Sequence, residues 1–219
     1  MFSTMFRTMF RAAVFSFLIL VSSVTLSSAQ WTPLLDGKDL AGWETIGDGV
    51  WNVLQDGTLV GQRDIRQKSE NQSWLYTKKD FTNFDLHMEW WLRLACNSGV
   101  SIRDSSRAKY AITAEWDAKK TPAHIGYEIQ LINGYKEKFP SGSVYLFDKA
   151  KEGMMRENDW NALDIESRDD GITVKINGQV VSHYAGEPGR PKSGPIGLQL
   201  HDKNTVVMFR DIKIRELAK

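Results

Sequence analysis

The chain has 219 residues, of which 42% are hydrophobic and 25% are charged, and its formal net charge is +1. This is ordinary globular composition and excludes a disordered or fibrous chain. The near-neutral charge gives no electrostatic reason to expect a nucleic-acid partner. Cys96 is the single cysteine, so no intramolecular disulfide can form, and we expect it as a small buried hydrophobe.

The N-terminal segment has the pattern of a secretory signal peptide. Arg7 and Arg11 are the only charged residues before Asp36, an apolar run follows over residues 12–24, and small residues at 27–29 end it. The run is short and interrupted by serines, whereas a membrane span needs about 20 apolar residues, which favours cleavage over an N-terminal anchor. We therefore expect a signal peptide over residues 1–29 and a secreted or periplasmic protein that is free of the membrane after cleavage.

The rest of the chain, residues 30–219, is rich in strand signals and poor in helix signals. Residues 84–94 alternate over eleven positions, which is typical of a long half-buried strand. Residues 99–103 and 127–132 repeat this alternation, and later strands are joined by tight turns such as Asn177-Gly178. Since no helices intervene, we predict one all-β domain, a two-sheet antiparallel jelly-roll sandwich.

Residues 104–125 interrupt the strand pattern. The segment is longer than the usual connections in compact domains, and long loops of this kind are often lids or binding loops. We expect a loop or a helical insertion beside a functional site. Within it, His124 could be a ligand-binding or acid–base group, or simply a solvated loop histidine.

The alternation also predicts a shared polar face. If the apolar members of each strand form the core, the intervening residues point outward, and they include carboxylates, guanidinium groups, amides, a histidine and an indole. These groups suit a polyol, because planar polar groups bond pairs of hydroxyls while aromatic rings cover the apolar faces of sugars. The alternative is a solvated face, although such faces usually carry lysine and this one has none. The set comprises Glu89, Trp91, Arg93, Ser101, Arg103, Glu128, Gln130, Gln199 and His201.

Eight tryptophans are many for this length. The pattern around five of them indicates core positions, namely Trp31, Trp43, Trp51, Trp74 and Trp90. Three others, Trp91, Trp116 and Trp160, are candidates for exposed platforms that stack on a sugar, with ordinary packing as the alternative. No dinucleotide loop, phosphate loop, zinc-protease motif or nucleophile elbow occurs in the sequence.

A series of short motifs resembles the 3-keto-disaccharide hydrolase domain family. The opening LDGKDLAGW at 35–43 is similar to the family's NGKDLxGW, and the resemblance continues to about residue 217. It implies a concanavalin A-like sandwich with a carbohydrate site on its concave face, in exported proteins that cleave 3-keto-glycosides. The other matching segments are WNV at 51–53 with DGTL at 56–59, NSGVSIR at 97–103, GYEIQ at 126–130, DWN at 159–161, NG at 177–178, GPIGLQLH at 194–201 and FRDI at 209–212.

The resemblance also suggests a mechanism. A ketone at C3 of a glycoside acidifies the C2 proton, so that a base can form an enolate that expels the C1 substituent, and water addition completes a net hydrolysis. Such a site needs a base, a donor to the enolate oxygen and an acid. His201 suits the base, Arg103 the donor and Glu128 the acid. His201 and Glu128 could exchange roles or jointly hold a divalent cation, and no other cofactor is expected.

The remaining candidates would bind the sugar. The 141–145 segment, SGSVY, departs from the family's TGAxY, and like the 104–125 insertion it flanks the predicted site, which bears on substrate identity. The expected substrate-binding residues are Glu89, Trp91, Arg93, His124, Gln130, Tyr145, Trp160 and Gln199.

Three other functions stay open at this level. Glu89 and Glu128 could be the two carboxylates of an ordinary glycosidase, which requires a separation of about 5 Å or about 6.5–9.5 Å. The same sandwich could be a non-catalytic carbohydrate-binding module. An adhesion domain would instead expose large apolar patches. The sequence sets no oligomeric state.

Overall fold

A computed structural model describes residues 29–63, 66, 71–134 and 136–218. The predicted signal peptide therefore lies outside the described residues, apart from Ala29. Within the described ranges, no helix is long and apolar enough to cross a membrane.

The described strands form two antiparallel sheets, which confirms the prediction of an all-β, two-sheet sandwich. The larger sheet has the order β11-β10-β9-β6-β13-β4-β3, with β1 also paired to β13. Its strands are β1 (Thr32–Pro33), β3 (Gly49–Val53), β4 (Leu59–Arg63), β6 (Phe84–Leu92), β9 (Asn161–Arg168), β10 (Gly171–Ile176), β11 (Gln179–Tyr184) and β13 (Val206–Glu216).

The smaller sheet has the order β2-β5-β12-β7-β8. Its strands are β2 (Trp43–Ile46), β5 (Ser73–Thr77), β7 (Cys96–Ile102), β8 (Tyr127–Asn133) and β12 (Ile196–Leu200). The segment between β7 and β8 contains a short 3₁₀ turn, Thr113–Glu115, and one helical turn, α1 (Pro122–Ile125).

The alternation read from the sequence decides which side chains enter the core. In β6, Phe84, Leu86, Met88, Trp90 and Leu92 are buried between the sheets, whereas their neighbours lie on the outer face of the larger sheet. Burial of a large apolar side chain contributes about 1.5–3 kcal/mol, so this row is a main source of stability. Cys96 is buried in the same core, as expected.

Two of the predicted core tryptophans lie elsewhere. Trp74 is buried on the outer face of the smaller sheet, where it stacks on Tyr76 beneath residues Ala108 and Ala111 of the 104–125 segment. Trp31 is half-buried beside Lys213 and Arg215 of the larger sheet. Trp43, Trp51 and Trp90 belong to the core, as predicted. The 104–125 segment thus covers one sheet face, and we call it the lid.

Candidate functional site

Strand register gathers polar side chains on the outer face of the smaller sheet. Gly99 of β7 is paired with Gln130 of β8, and Ser101 is paired with Glu128. On the next strand, Gln199 is paired with Trp74, which also faces outward. Four of the predicted residues therefore share one face, as the alternation predicted, namely Ser101, Glu128, Gln130 and Gln199. They are buried, with exposed fractions of 0%, 5%, 3% and 0%.

A cleft of about 160 Å³ lies between this face and the lid. The sheet side supplies polar groups, the lid supplies an indole, a hydroxyl and an imidazole, and neighbouring loops close the ends. The lining residues are Gln72, Asn97, Trp116, Ala118, Thr121, His124, Glu128, Gln130, Tyr145 and His201.

Glu128 is the most perturbed acid in the cleft. Burial raises the pKa of its carboxyl group to about 8, with the Gln199 amide opposing this shift and the charge of Asp104 adding to it. The carboxyl group fits only because residue 99 is glycine, since a Cβ there would stand 2.7 Å from Glu128 Oε1. Glu128 is therefore an uncharged acid at neutral pH, held in a fixed place.

Several buried polar atoms beside Glu128 have no hydrogen-bond partner within the described protein. They are Asn97 Oδ1, Gln130 Oε1 and Gln199 Oε1, all on side chains at least nine-tenths buried. An unpaired buried polar group costs about 1–3 kcal/mol, so such groups are normally matched by a ligand or by water. Their cluster makes this cleft the candidate functional site.

Two histidines line the cleft from opposite sides. His201 follows β12, and burial lowers the pKa of its imidazole. His124 lies in α1, where its Nδ1 is 2.8 Å from Thr121 Oγ1, and burial together with the charge of Arg190 lowers its pKa. Both imidazoles are thus neutral at pH 7, which leaves a ring nitrogen free to accept a proton.

Comparison with known proteins identifies the family of the chain. Residues 30–215 match the model of the 3-keto-alpha-glucoside-1,2-lyase-like domain family. The chain belongs to this family. The resemblance recognised in the sequence motifs is thereby confirmed. A search of the curated proteins finds no match.

Several solved structures of other proteins share the fold of this chain. A provisionally named glycosyl hydrolase from Parabacteroides distasonis superposes with a TM-score of 0.64 at 24% identity, covering 86% of this chain and 100% of that one. A second from the same organism gives 0.65 at 21% identity, covering 86% and 94%. The carbohydrate-binding module CBM66 from Bacillus subtilis gives 0.52 at 15% identity, covering 80% and 96%.

Arg103 does not line the cleft, and this placement argues against its predicted role as enolate donor. Its backbone has a φ of 60°, which breaks the alternation just after β7 ends. The buried guanidinium runs to the end of the larger sheet, where Nη2 donates to the carbonyl oxygen of Arg168 at 2.6 Å. Gly194 lies close against the backbone of Arg103. A Cβ on residue 194 would stand only 2.7 Å from Arg103 Cα.

Four other predicted site residues belong to the larger sheet. Glu89, Trp91 and Arg93 lie on or just after β6, and Glu89 forms an ion pair with Arg210. Arg210 in turn stacks on Trp160, with its guanidinium carbon 4.1 Å from the ring centre. The prediction that these residues join Glu128 is wrong, since alternation assigns a residue to a face of its own sheet only. The pairing of Glu89 with Glu128 as glycosidase carboxylates is wrong for the same reason.

Tyr145 is in the cleft, as the resemblance implied. Its backbone N–H donates to the Glu128 carbonyl at 2.8 Å, which fixes the 141–145 segment against β8. Burial raises the pKa of its phenol, so the hydroxyl remains a hydrogen-bond donor. Asn97, Gln72 and Thr121 were missed. Asn97 is two residues before Gly99 in β7, so continuing the alternation of that strand would have predicted it on the same face.

The described residues contain no group of three or more histidine, cysteine, aspartate or glutamate side chains placed to hold a metal ion. A wider groove of about 440 Å³ lies beyond β8, with Leu94, Ile132, Met155 and Ile176 in its lining. We place the site in the smaller cleft because the unpaired buried amides and the perturbed acid are there.

Proposed function

We propose that this protein cleaves a 3-keto-glycoside in the cleft beneath the lid, by removal of the C2 proton and elimination of the C1 substituent. The single observation that carries the proposal is that one cleft is lined by the carboxyl group of Glu128, whose pKa burial raises to about 8, and by the imidazole of His201, whose pKa burial lowers. An acid and a base with well-separated pKa values in one pocket are what an elimination needs.

His201 removes the C2 proton, and the electron pair moves to the C3 oxygen as an enolate. When the enolate collapses, the C1–O bond breaks and the leaving oxygen takes the proton of Glu128. The product is a C1–C2 unsaturated 3-keto sugar, and addition of water across that bond gives the free 3-keto sugar.

Uncharged donors replace Arg103 in this scheme. The hydroxyl of Tyr145 and the amide of Gln130 lie in the cleft, and both can donate to an enolate oxygen. Donors of this kind act where negative charge develops and contribute a rate factor of about 10²–10³ each.

The test is turnover of 4-nitrophenyl 3-keto-α-D-glucoside beside the plain 4-nitrophenyl α-D-glucoside. We expect release of 4-nitrophenol from the keto form alone, with loss of turnover in His201→Ala. Glu89→Gln is the matched carboxylate control on the other sheet and should retain full activity. Release from the plain glucoside would instead indicate an ordinary glycosidase. Sugar binding without release from either compound would indicate a carbohydrate-binding module, the fold that CBM66 also has.

We also propose that the protein is exported. The support is the basic, apolar and small-residue pattern of residues 1–29. N-terminal sequencing of the protein recovered from the periplasm or the medium should begin at Gln30. An intact Met1 in the membrane fraction would contradict cleavage.

A further inference from the structure

The lid is fixed to the body of the protein at its start. Asp104 is fully buried, and its Oδ2 accepts from the Tyr76 hydroxyl at 2.8 Å and from the Ala108 N–H at 2.7 Å. Its Oδ1 accepts from the Ser106 N–H at 3.0 Å and from the Ser106 hydroxyl at 2.6 Å. Four hydrogen bonds thus converge on one buried carboxyl group and hold this end of the lid in place.

The other end is held by Arg190. Its Nη1 donates to the carbonyl oxygens of Ala123, at 2.9 Å, and of Gly126, at the end of α1. The guanidinium carbon lies 4.5 Å from the centre of the Phe147 ring, so the arginine is itself clamped. Both ends of the lid are thus positioned by buried or stacked charged groups.

The middle of the lid is joined mainly to itself. The Asp117 N–H donates to the Tyr110 carbonyl at 2.9 Å, and the Lys120 N–H donates to the Asp117 carbonyl at 2.9 Å. The ammonium groups of Lys109 and Lys120 both lie over the Tyr110 ring. The hydrogen bonds described for residues 109–120 all end within the lid, and Ala111 packs this part of the lid against Trp74 and Tyr76 of the sheet.

Trp116 lies in this middle part and lines the cleft across from the polar sheet face. The residue is 46% exposed, which is high for an indole, and no described ring or cation stacks on it. A sugar ring presents hydroxyls at its edge and C–H groups on its faces. A cleft with unpaired amides on one wall and a free indole on the other matches both parts of that surface.

We propose that Trp116 is the stacking residue that holds the sugar ring against the amides of the sheet, and that it sets substrate affinity. This inference rests on the proposed function only for the identity of the sugar. An indole that contacts substrate and transition state alike changes KM and leaves kcat nearly unchanged. Loss of the stack should weaken binding about ten-fold, the equivalent of about 1.4 kcal/mol.

The test compares Trp116→Ala and Trp116→Phe with Trp160→Ala. Trp160 is the matched control, because it is a tryptophan on the other sheet that already stacks on Arg210. With 4-nitrophenyl 3-keto-α-D-glucoside we expect KM to rise about ten-fold in Trp116→Ala and much less in Trp116→Phe, with kcat retained. Trp160→Ala should match the wild type, and thermal unfolding should show that all variants are folded.

Direct binding separates this inference from the proposed reaction. Methyl 3-keto-α-D-glucoside and methyl α-D-glucoside are titrated by calorimetry into His201→Ala with and without Trp116→Ala. Weaker binding in the double variant supports the stacking role even if the wild type shows no turnover. Unchanged binding and unchanged KM in Trp116→Ala would overturn it even if turnover of the keto substrate is confirmed. If neither glucoside binds to either variant, the stacking role of Trp116 is overturned as well.

Discussion

The carboxyl group of Glu128 lies against the backbone of Gly99 on the neighbouring strand, in the space that a side chain at residue 99 would fill. A Cβ on Gly99 would stand 2.7 Å from Glu128 Oε1 and 3.2 Å from Gln199 Oε1. Glycine is therefore required here by close approach, because its φ does not lie in the left-handed region. This contact joins the sheet backbone directly to the proposed acid.

Gly99→Ala should displace the carboxyl group while the strand keeps its pairing. Overpacking of this kind costs about 1–3 kcal/mol of stability. A shift of about 1 Å in a catalytic group can cost about 100-fold in rate, so we expect a large loss of kcat with a moderate fall in melting temperature. Gly42→Ala is the control, since a Cβ there meets nothing within 4 Å. Equal activity in both variants would contradict the placement of Glu128 in the reaction.

Burial of Glu128 should make stability depend on pH. Its pKa is about 8 in the folded protein against a usual value of 4.5. Below about pH 4.5 the group is protonated in both states and costs nothing, whereas between about 4.5 and 8 only the unfolded state loses its proton. The free energy of unfolding should therefore fall by up to about 1.4 kcal/mol per pH unit across that range.

Glu128→Gln removes this titration. Urea unfolding at about pH 5 and about pH 7.5 should show that the variant gains stability relative to the wild type as pH rises. Glu89→Gln, a half-exposed carboxylate on the other sheet, is the control and should follow the wild type. If Glu128→Gln also follows the wild type at both pH values, Glu128 is ionised in the folded protein.

The reaction should have a bell-shaped pH profile. It needs His201 neutral, and burial lowers the pKa of that imidazole below its usual 6.5. It also needs Glu128 protonated, which holds up to about pH 8. We expect kcat/KM to rise on the acid side below pH 6.5 and to fall on the basic side near pH 8.

The basic limb can be assigned with Glu128→Gln. Because 4-nitrophenolate leaves without prior protonation, the limb near pH 8 should be weaker in the wild type for the 4-nitrophenyl substrate than for an alkyl glycoside, and Glu128→Gln should keep measurable activity on the former with no such limb. With an alkyl leaving group the same variant should lose far more activity. A basic limb near pH 8 that persists in Glu128→Gln would assign it to a group other than Glu128.

Alternation made much of the site predictable, and it also set the limit of prediction. Within one strand it correctly placed Glu128 with Gln130 and put Gln199 on the outer face, because side chains alternate with a period of two. It could not tell that β6 belongs to the other sheet, since sheet membership depends on long-range pairing that leaves no local pattern. Glu89 was therefore assigned to a face that it does not share.

The lid illustrates a second limit. Its length indicated a functional loop, yet its contacts could not be read from the sequence. Trp74 and Tyr76 resemble core residues by pattern, and only the structure shows that Ala108 and Ala111 cover them from outside. The same cover turns an outer sheet face into a buried cleft, which is why the polar residues beneath it have perturbed pKa values.

Arg103 separates a structural role from a catalytic one. The residue is 2% exposed, its Nη2 donates to the Arg168 carbonyl, and its backbone is left-handed. Arg103→Met removes the hydrogen bond that joins the end of β7 to the larger sheet, at a cost of about 0.5–1.5 kcal/mol or more, so the melting temperature should fall. Because the guanidinium is outside the cleft, kcat/KM measured well below the unfolding transition should stay near the wild-type value. A loss of kcat of about 10²–10³ with an unchanged melting temperature would instead return Arg103 to the enolate-stabilising role that the sequence suggested.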